Sequence, residues 1–181
     1  MARPREFDAD EALIQIRDAF WASGYDATSL SDLVQATGVK KASLYGAFGG
    51  KQIMYRKALV DYERVHVQAC VNMMGELRGR AALKALFFAP VTAVANGDRR
   101  GCFLCNSSGE YASLDEASRE VSDRGHAAML DAIGKALAEI DHKTIEPGEV
   151  LALYVGLRVL ARSSMSEDML RGIAQSAIGR I

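Results

Sequence analysis

Two groups of residues have types and spacings that could do chemistry. The first is Thr28 and Ser29, followed by Lys40, Lys41, Ala42, Ser43, Tyr45 and Lys51. Hydroxyls and free N–H groups at a helix N-terminus suit a phosphate, and Lys41, Tyr45 and Lys51 can reach a duplex backbone from the other side. Base reading then falls on Lys40, Ala42 and Ser43, at the start of a short helix. The second group is Arg99-Arg100-Gly101-Cys102-Phe103-Leu104-Cys105. Two thiols three residues apart fit metal binding, a redox switch or a thioredoxin-type centre. Arginines beside a helix N-terminus would lower the Cys102 pKa and leave a thiolate reactive toward an oxidant or electrophile.

Each sharper reading of the cysteines needs partners. Zinc requires two further ligands, and His66, His126 and His142 have no paired spacing that supplies them, so neither metal nor cofactor is expected. A thioredoxin-type enzyme would carry the pair in a βαβ pattern, which the sequence lacks. With Cys70 the thiols are odd in number, in a chain whose size needs no staples, so a disulfide framework is not expected. Cys105 also suits the part of a small buried hydrophobe. A thiol switch at Cys102 remains, alongside an apolar effector pocket drawn from Phe88, Phe103, Tyr111 and Met129 with Phe87 and Tyr154.

The elements that must position these groups read as helices throughout. Prolines occur only at 4, 90 and 147, and helix formers dominate without sustained period-two alternation. Asp8 with Glu11 marks a first helix running to about Ser23, with Ala9, Leu13, Ile16 and Phe20 as its apolar stripe and Gly24 as its stop. Thr28 or Ser29 caps a second helix ending at Thr37-Gly38. A third runs from Val39 to Phe48, stopped by Gly49-Gly50. Three short helices in this span make a helix-turn-helix unit. A long helix over 51–77 follows, then one from Arg80 to Ala95 that Pro90 should kink. Further stretches cover Cys102 to Ser113 and Asp115 to Ile140, and Pro147 opens a helix to about Ser163. That last helix is apolar around nearly its whole circumference. Paired with the final helix, 167–178, it predicts a four-helix dimer interface that includes Tyr154, Leu157, Leu160, Ile173 and Ile178, with small-residue approach at Gly156. The expected fold is all-α with about nine helices, a DNA-binding head over residues 1–51 and a sensor and dimerisation body over residues 52–181.

The run from Gly24 to Lys51 closely resembles the DNA-binding region of the tetracycline-repressor-like (TetR) family. An apolar-striped helix, a Gly-aromatic turn, Thr-Ser, a short helix, Gly-Val, Lys, Leu-Tyr, Phe and Lys recur in that order over residues 8–51. Gly-Cys-Phe-Leu-x-Asn followed by Glu110 resembles the start of the sixth helix in one branch of the family, where the ligand-binding region opens. The resemblance implies a cytoplasmic homodimeric repressor that binds a palindromic operator in double-stranded DNA and is released by a small-molecule or oxidant effector. Two departures stand out. Lys40 replaces the usual small hydroxyl cap of the third helix, and Gly46-Ala47 replaces the His or Tyr pair before Phe48. The rival expectation is a helical thiol oxidoreductase, or another enzyme, using Cys102 and Cys105.

Bulk charge points the other way. The 181 residues carry a net charge of −1, with 49% hydrophobic and 25% charged residues, a balance that does not coat nucleic acid. Its distribution differs: between Ala36 and Arg64 six cations face two carboxylates, about +4, and Arg3 and Arg5 could add an arm along DNA. The N-terminus shows no signal-peptide pattern and no window is long and apolar enough for a membrane span, so the cytoplasm is the expected address.

Overall fold

The computed structural model describes residues 7–141 and 144–181. The expected Arg3/Arg5 arm and His142 lie outside them. Asp8 opens α1 (Ala9–Ser23) by accepting the N–H groups of Asp10 and Glu11. Side-chain capping of this kind is worth roughly 1 kcal/mol. The core face of α1 is set by Ala12, Ile16, Phe20 and Trp21, rotated slightly from the expected stripe, because Ala9 and Leu13 are only partly buried. Gly24 ends the helix at φ +90°, a conformation that L side chains rarely adopt.

Ser29 caps α2 (Leu30–Thr37) through a reciprocal box with Asp32, and Gly38 closes it in the left-handed region. α3 (Lys41–Phe48) starts after Lys40, which makes no capping bond, as that residue type dictates. α4 (Lys51–Tyr62) passes through a π-turn at Glu63–Val67 into α5 (Gln68–Leu77), one rod over the span read as a single long helix. α6 (Gly79–Ala95) is unbroken at Pro90. α7 (Phe103–Gly109) leads through a 3₁₀ turn, Tyr111–Ser113, to α8 (Glu116–Ala138). α9 (Pro147–Ala161) begins with its proline at the first helical position, and α10 (Glu167–Gly179) is capped by Ser166. Counting α4 and α5 as one rod, the described residues form nine helices and no strand.

Ile16, Phe20, Leu33, Leu44, Phe48 and Tyr55 join the head into one core with the body. A buried ion pair fastens α1 to α4: Arg17 Nη1 lies 2.8 Å from Asp61 Oδ2, with side-chain exposures of 11% and 8%. Among the described residues no helix is long and apolar enough to cross a membrane.

Burial in the single chain corrects part of the expected dimer surface. Tyr154 and Leu157 are 5% and 1% exposed, held inside the bundle, so neither offers a face to a partner. Leu160, Ile173 and Ile178 are half-buried. The outward stripe of α9 is Ala152, Gly156 and Val159, spaced four and three apart. Val159 is 52% exposed and Met169 of α10 is 59% exposed. A helix apolar all round therefore splits its surface between its own core and an open stripe, which includes Gly156, the expected point of close approach, but not Tyr154 or Leu157.

Candidate nucleic-acid interface and effector cavity

The third helix is shaped by which of its residues the core takes. Leu44 and Phe48, four apart, are buried, which turns Lys41, Ala42 and Tyr45 outward, with Lys40 exposed at the entrance and Ser43 half-buried. The ammonium group of Lys41 lies 6.0 Å from the Tyr45 ring centroid. Across the turn Ser29 is exposed, and its hydroxyl accepts the Asp32 N–H while its own N–H donates to the Asp32 carboxylate. Thr28 is a correction. It is 1% exposed and its hydroxyl donates to the Gly24 carbonyl at 2.6 Å, so it braces the turn instead of offering a hydroxyl to phosphate. Lys51 opens α4, whose N-terminus has no side-chain cap, and its ammonium lies 4.3 Å from the Tyr25 ring centroid. A helix end with free N–H groups and a lysine attracts phosphate. The structure thus sets Lys40, Lys41, Ala42, Tyr45, Ser29 and Lys51 around one short, outward-facing helix.

The cysteine region lies at a cavity of about 320 Å³ enclosed by α1, the α4–α5 rod and α6 to α9. Cys102, Cys105 and Met129 line it, as expected. Phe103, Phe88 and Tyr111 do not. Phe103 is fully buried edge-on against Tyr55 and Tyr62, where it joins head to body. Phe88 is half-buried on α6 away from the cavity. Tyr111 is 39% exposed and donates to Asp123 at 2.7 Å. These rings fail as lining because an aromatic at helical spacing packs wherever its face lands, and sequence spacing cannot show which face meets the void.

Cys102 has an unusual environment for a buried thiol. A hydrogen bond from Cys105 holds its pKa well below the ordinary thiol value against burial, helped by the Arg158 guanidinium and by the Tyr62 hydroxyl, which donates to Sγ at 3.5 Å. The Cys105 pKa is pushed up by its bond to Cys102 and by burial, and burial raises Cys70. The hydrogen bond between the two thiols therefore favours the ionised form at Cys102 over Cys105. All three cysteines are free, and among the described residues no cluster of three or more His, Cys, Asp or Glu side chains could hold a metal. The arrangement suits addition of a soft electrophile or oxidant to Cys102.

Sequence reasoning missed Trp21, Tyr62, His66 and Arg158 in the cavity wall. Arg158 had one visible signal, a lone cation inside the apolar run Leu153 to Leu160. Also missed was the joint between cavity and head. The Glu110 carboxylate accepts the N–H groups of Tyr25 at 2.8 Å and Asp26 at 3.0 Å, and Arg162 donates to the Trp21 and Ala22 carbonyls at 3.2 and 2.8 Å. Arg100 lies 3.8 Å over the Trp21 ring. Gly24 is required here: a Cβ would fall 2.7 Å from Glu110 Oε1, at a backbone conformation already costly for other residues. Gly24→Ala should destabilise the chain by about 2–3 kcal/mol, read as a fall in Tm of roughly 4–12 °C for a chain of this size. A Tm within a degree of the unmodified protein would show that Glu110 does not grip this turn.

A short helix-turn-helix unit packed on a helical body around a lined cavity defines an all-helical helix-turn-helix protein. Residues 15–58 match the family of bacterial regulatory proteins of the tetR type, and the chain is TetR-like in its head sequence and in its fold throughout. The HTH-type transcriptional repressor ComR of Escherichia coli is 32% identical over 132 residues, which make up 67% of this chain and 63% of that repressor's length. A tetR-family transcriptional regulator from Agrobacterium tumefaciens superposes with a TM-score of 0.82 at 18% identity, over 96% of both chains. The regulator CifR, a cysteine mutant complexed with a 26-base-pair operator, superposes with a TM-score of 0.72 at 24% identity, over 98% of both chains.

Proposed function

We propose that this chain is a dimeric, cytoplasmic DNA-binding transcriptional repressor, with a head over residues 1–51 that grips a palindromic operator and a body over residues 52–181 that senses an effector. The observation that carries the reading is α3: eight residues anchored by Leu44 and Phe48, with Lys40, Lys41, Ala42 and Tyr45 turned out beside Ser29 and Lys51. A helix of this size fits a major groove while its neighbours hold the backbone. Two heads require two chains, and the open stripe of Ala152, Gly156 and Val159 with Met169 supports a four-helix joint between them. The similarity to the repressor ComR and to the operator-bound CifR supports the same activity here.

The effector acts in the cavity, with Cys102 as the thiol-reactive group. α7 carries Cys102 at its cap, and Glu110, at the end of the same helix, holds the turn that leads into α2. Chemistry at Cys102 that shifts α7 therefore pulls on the turn before the reading head, and an altered head separation costs DNA affinity. Gel-shift titration against DNA from upstream of the chain's own gene tests the reading, with a sequence-selective shift expected. A non-selective or missing shift would favour the enzyme alternative. A mild oxidant should release wild-type protein, and Cys102→Ser should resist release by at least tenfold in oxidant concentration. Equal release of the two would remove Cys102 from the switch.

A further inference from the structure

Arg158 places a cation in the cavity wall without a matching carboxylate. Its Nε donates to the Tyr154 hydroxyl at 2.8 Å, and its guanidinium carbon lies 5.2 Å from that ring's centroid. Among the described residues no acidic group lies within ion-pair distance of it. Asp98, on the same wall, is gripped by Arg100 through Nε at 3.0 Å and Nη2 at 2.8 Å. Arg158 is half-buried, and a guanidinium on the wall of a void with no carboxylate bonded to it is a ready partner for an anion. Two further polar atoms here lack hydrogen-bond partners, the Trp21 indole N–H and His66 Nε2. Burial, followed by the nearby Arg17 charge, lowers the His66 pKa. The other histidine on the wall, His126, places Nδ1 2.9 Å from the Ser122 carbonyl. Elsewhere the wall is apolar, with Val67, Ala93, Met129, Leu151 and Val155.

We propose that this cavity binds a small organic monocarboxylate, its carboxylate on Arg158 and its hydrocarbon body against Val67, Met129 and Leu151. The apolar wall selects the body of the ligand. A single available cation selects one negative charge, because Arg100 is closed on Asp98 and a dianion would keep a charge unpaired. Cys102 lines the same void, so a bound acid covers its sulfur and slows its reactions.

The inference rests on the cavity being the effector site, but its test uses DNA-free protein, so its failure leaves the gel-shift result untouched. Calorimetric titration with octanoate and with the neutral isostere octanamide should show octanoate binding wild type at least tenfold more tightly, the usual scale of one charge-assisted contact. Arg158→Met should abolish that preference and Arg158→Lys keep part of it. Saturating octanoate should slow carbamidomethylation of Cys102 at least fivefold, read by mass spectrometry. Equal binding of octanoate and octanamide to wild type would overturn the proposal, as would unchanged Cys102 labelling at saturation. Should Arg158→Met fail to fold, the wild-type comparison and Arg158→Lys still decide it.

Discussion

Asp61→Ala is expected to lower the unfolding free energy by about 3–5 kcal/mol, the usual cost of removing one partner from a buried ion pair. The carboxylate touches two arginines, Arg17 Nη1 and Arg64 Nη2, each at 2.8 Å, but the two are not equivalent. Arg64 is 73% exposed and regains water when Asp61 is lost. Arg17 is 11% exposed and keeps only Asp18, whose own side chain is 43% exposed. A guanidinium sealed between α1 and α4 would then face His66, whose protonated form it already disfavours. At roughly 2–4 °C per kcal/mol for a chain of this size, Tm should fall by roughly 6–20 °C. Arg64→Ala should cost under about 1 kcal/mol, as exposed pairs do. The double variant Arg17→Met/Asp61→Leu should recover more than half of the single loss, because two apolar side chains leave no orphaned charge. Calorimetry of the three proteins checks this, and a loss under about 1 kcal/mol for Asp61→Ala would show that water reaches Arg17.

How much of this was visible in the sequence depends on the range of the interaction. Asp8, Ser29 with Asp32, Gly24, Gly38 and Pro147 each satisfy backbone groups within a few residues, and all mark helix ends in the structure. The outward face of α3 was equally legible, because Leu44 and Phe48 leave only one way to turn the helix. Thr28 was misread because its partner, Gly24, lies on the far side of a turn whose shape the sequence does not state. The cavity was less accessible still. Trp21, Tyr62, Cys102 and Arg158 come from four separate helices or helix ends, and only packing brings them together. Apolar spacing showed that α9 is buried on several sides, but it could not separate the side that meets its own core at Tyr154 and Leu157 from the open side at Val159. A polar residue inside an apolar run is the better guide to a site: Arg158 breaks its helix's pattern, and it faces the void.

Lys41→Ala combined with Lys51→Ala is expected to weaken binding to operator and to random duplex alike, by about 10²–10⁴ at moderate salt. In the proposed dimer each substitution occurs twice, so four of the proposed phosphate contacts are lost. The slope of log affinity against log salt should become shallower by about 3.6, at about 0.9 for each neutralised phosphate. Tyr45→Ala should weaken binding without changing that slope, because a neutral hydroxyl releases no counterion. Fluorescence anisotropy across a salt series separates the two effects, and an unchanged slope in the double lysine variant would remove both lysines from the phosphate contacts. The neighbouring cations give the comparison its force. Lys57 places its ammonium 5.4 Å from the Phe48 ring centroid, and Arg56 is directed toward Asp115 at 3.9 Å. Both charges belong to the same basic stretch and lie against the protein's own groups, as does half-buried Lys51 at the Tyr25 ring, so the salt slope and not position in the stretch assigns Lys51 to phosphate. A net charge of −1 then conflicts with DNA binding only if charge is counted without regard to direction. The lysines that count are those that reach phosphate, and the salt slope counts them.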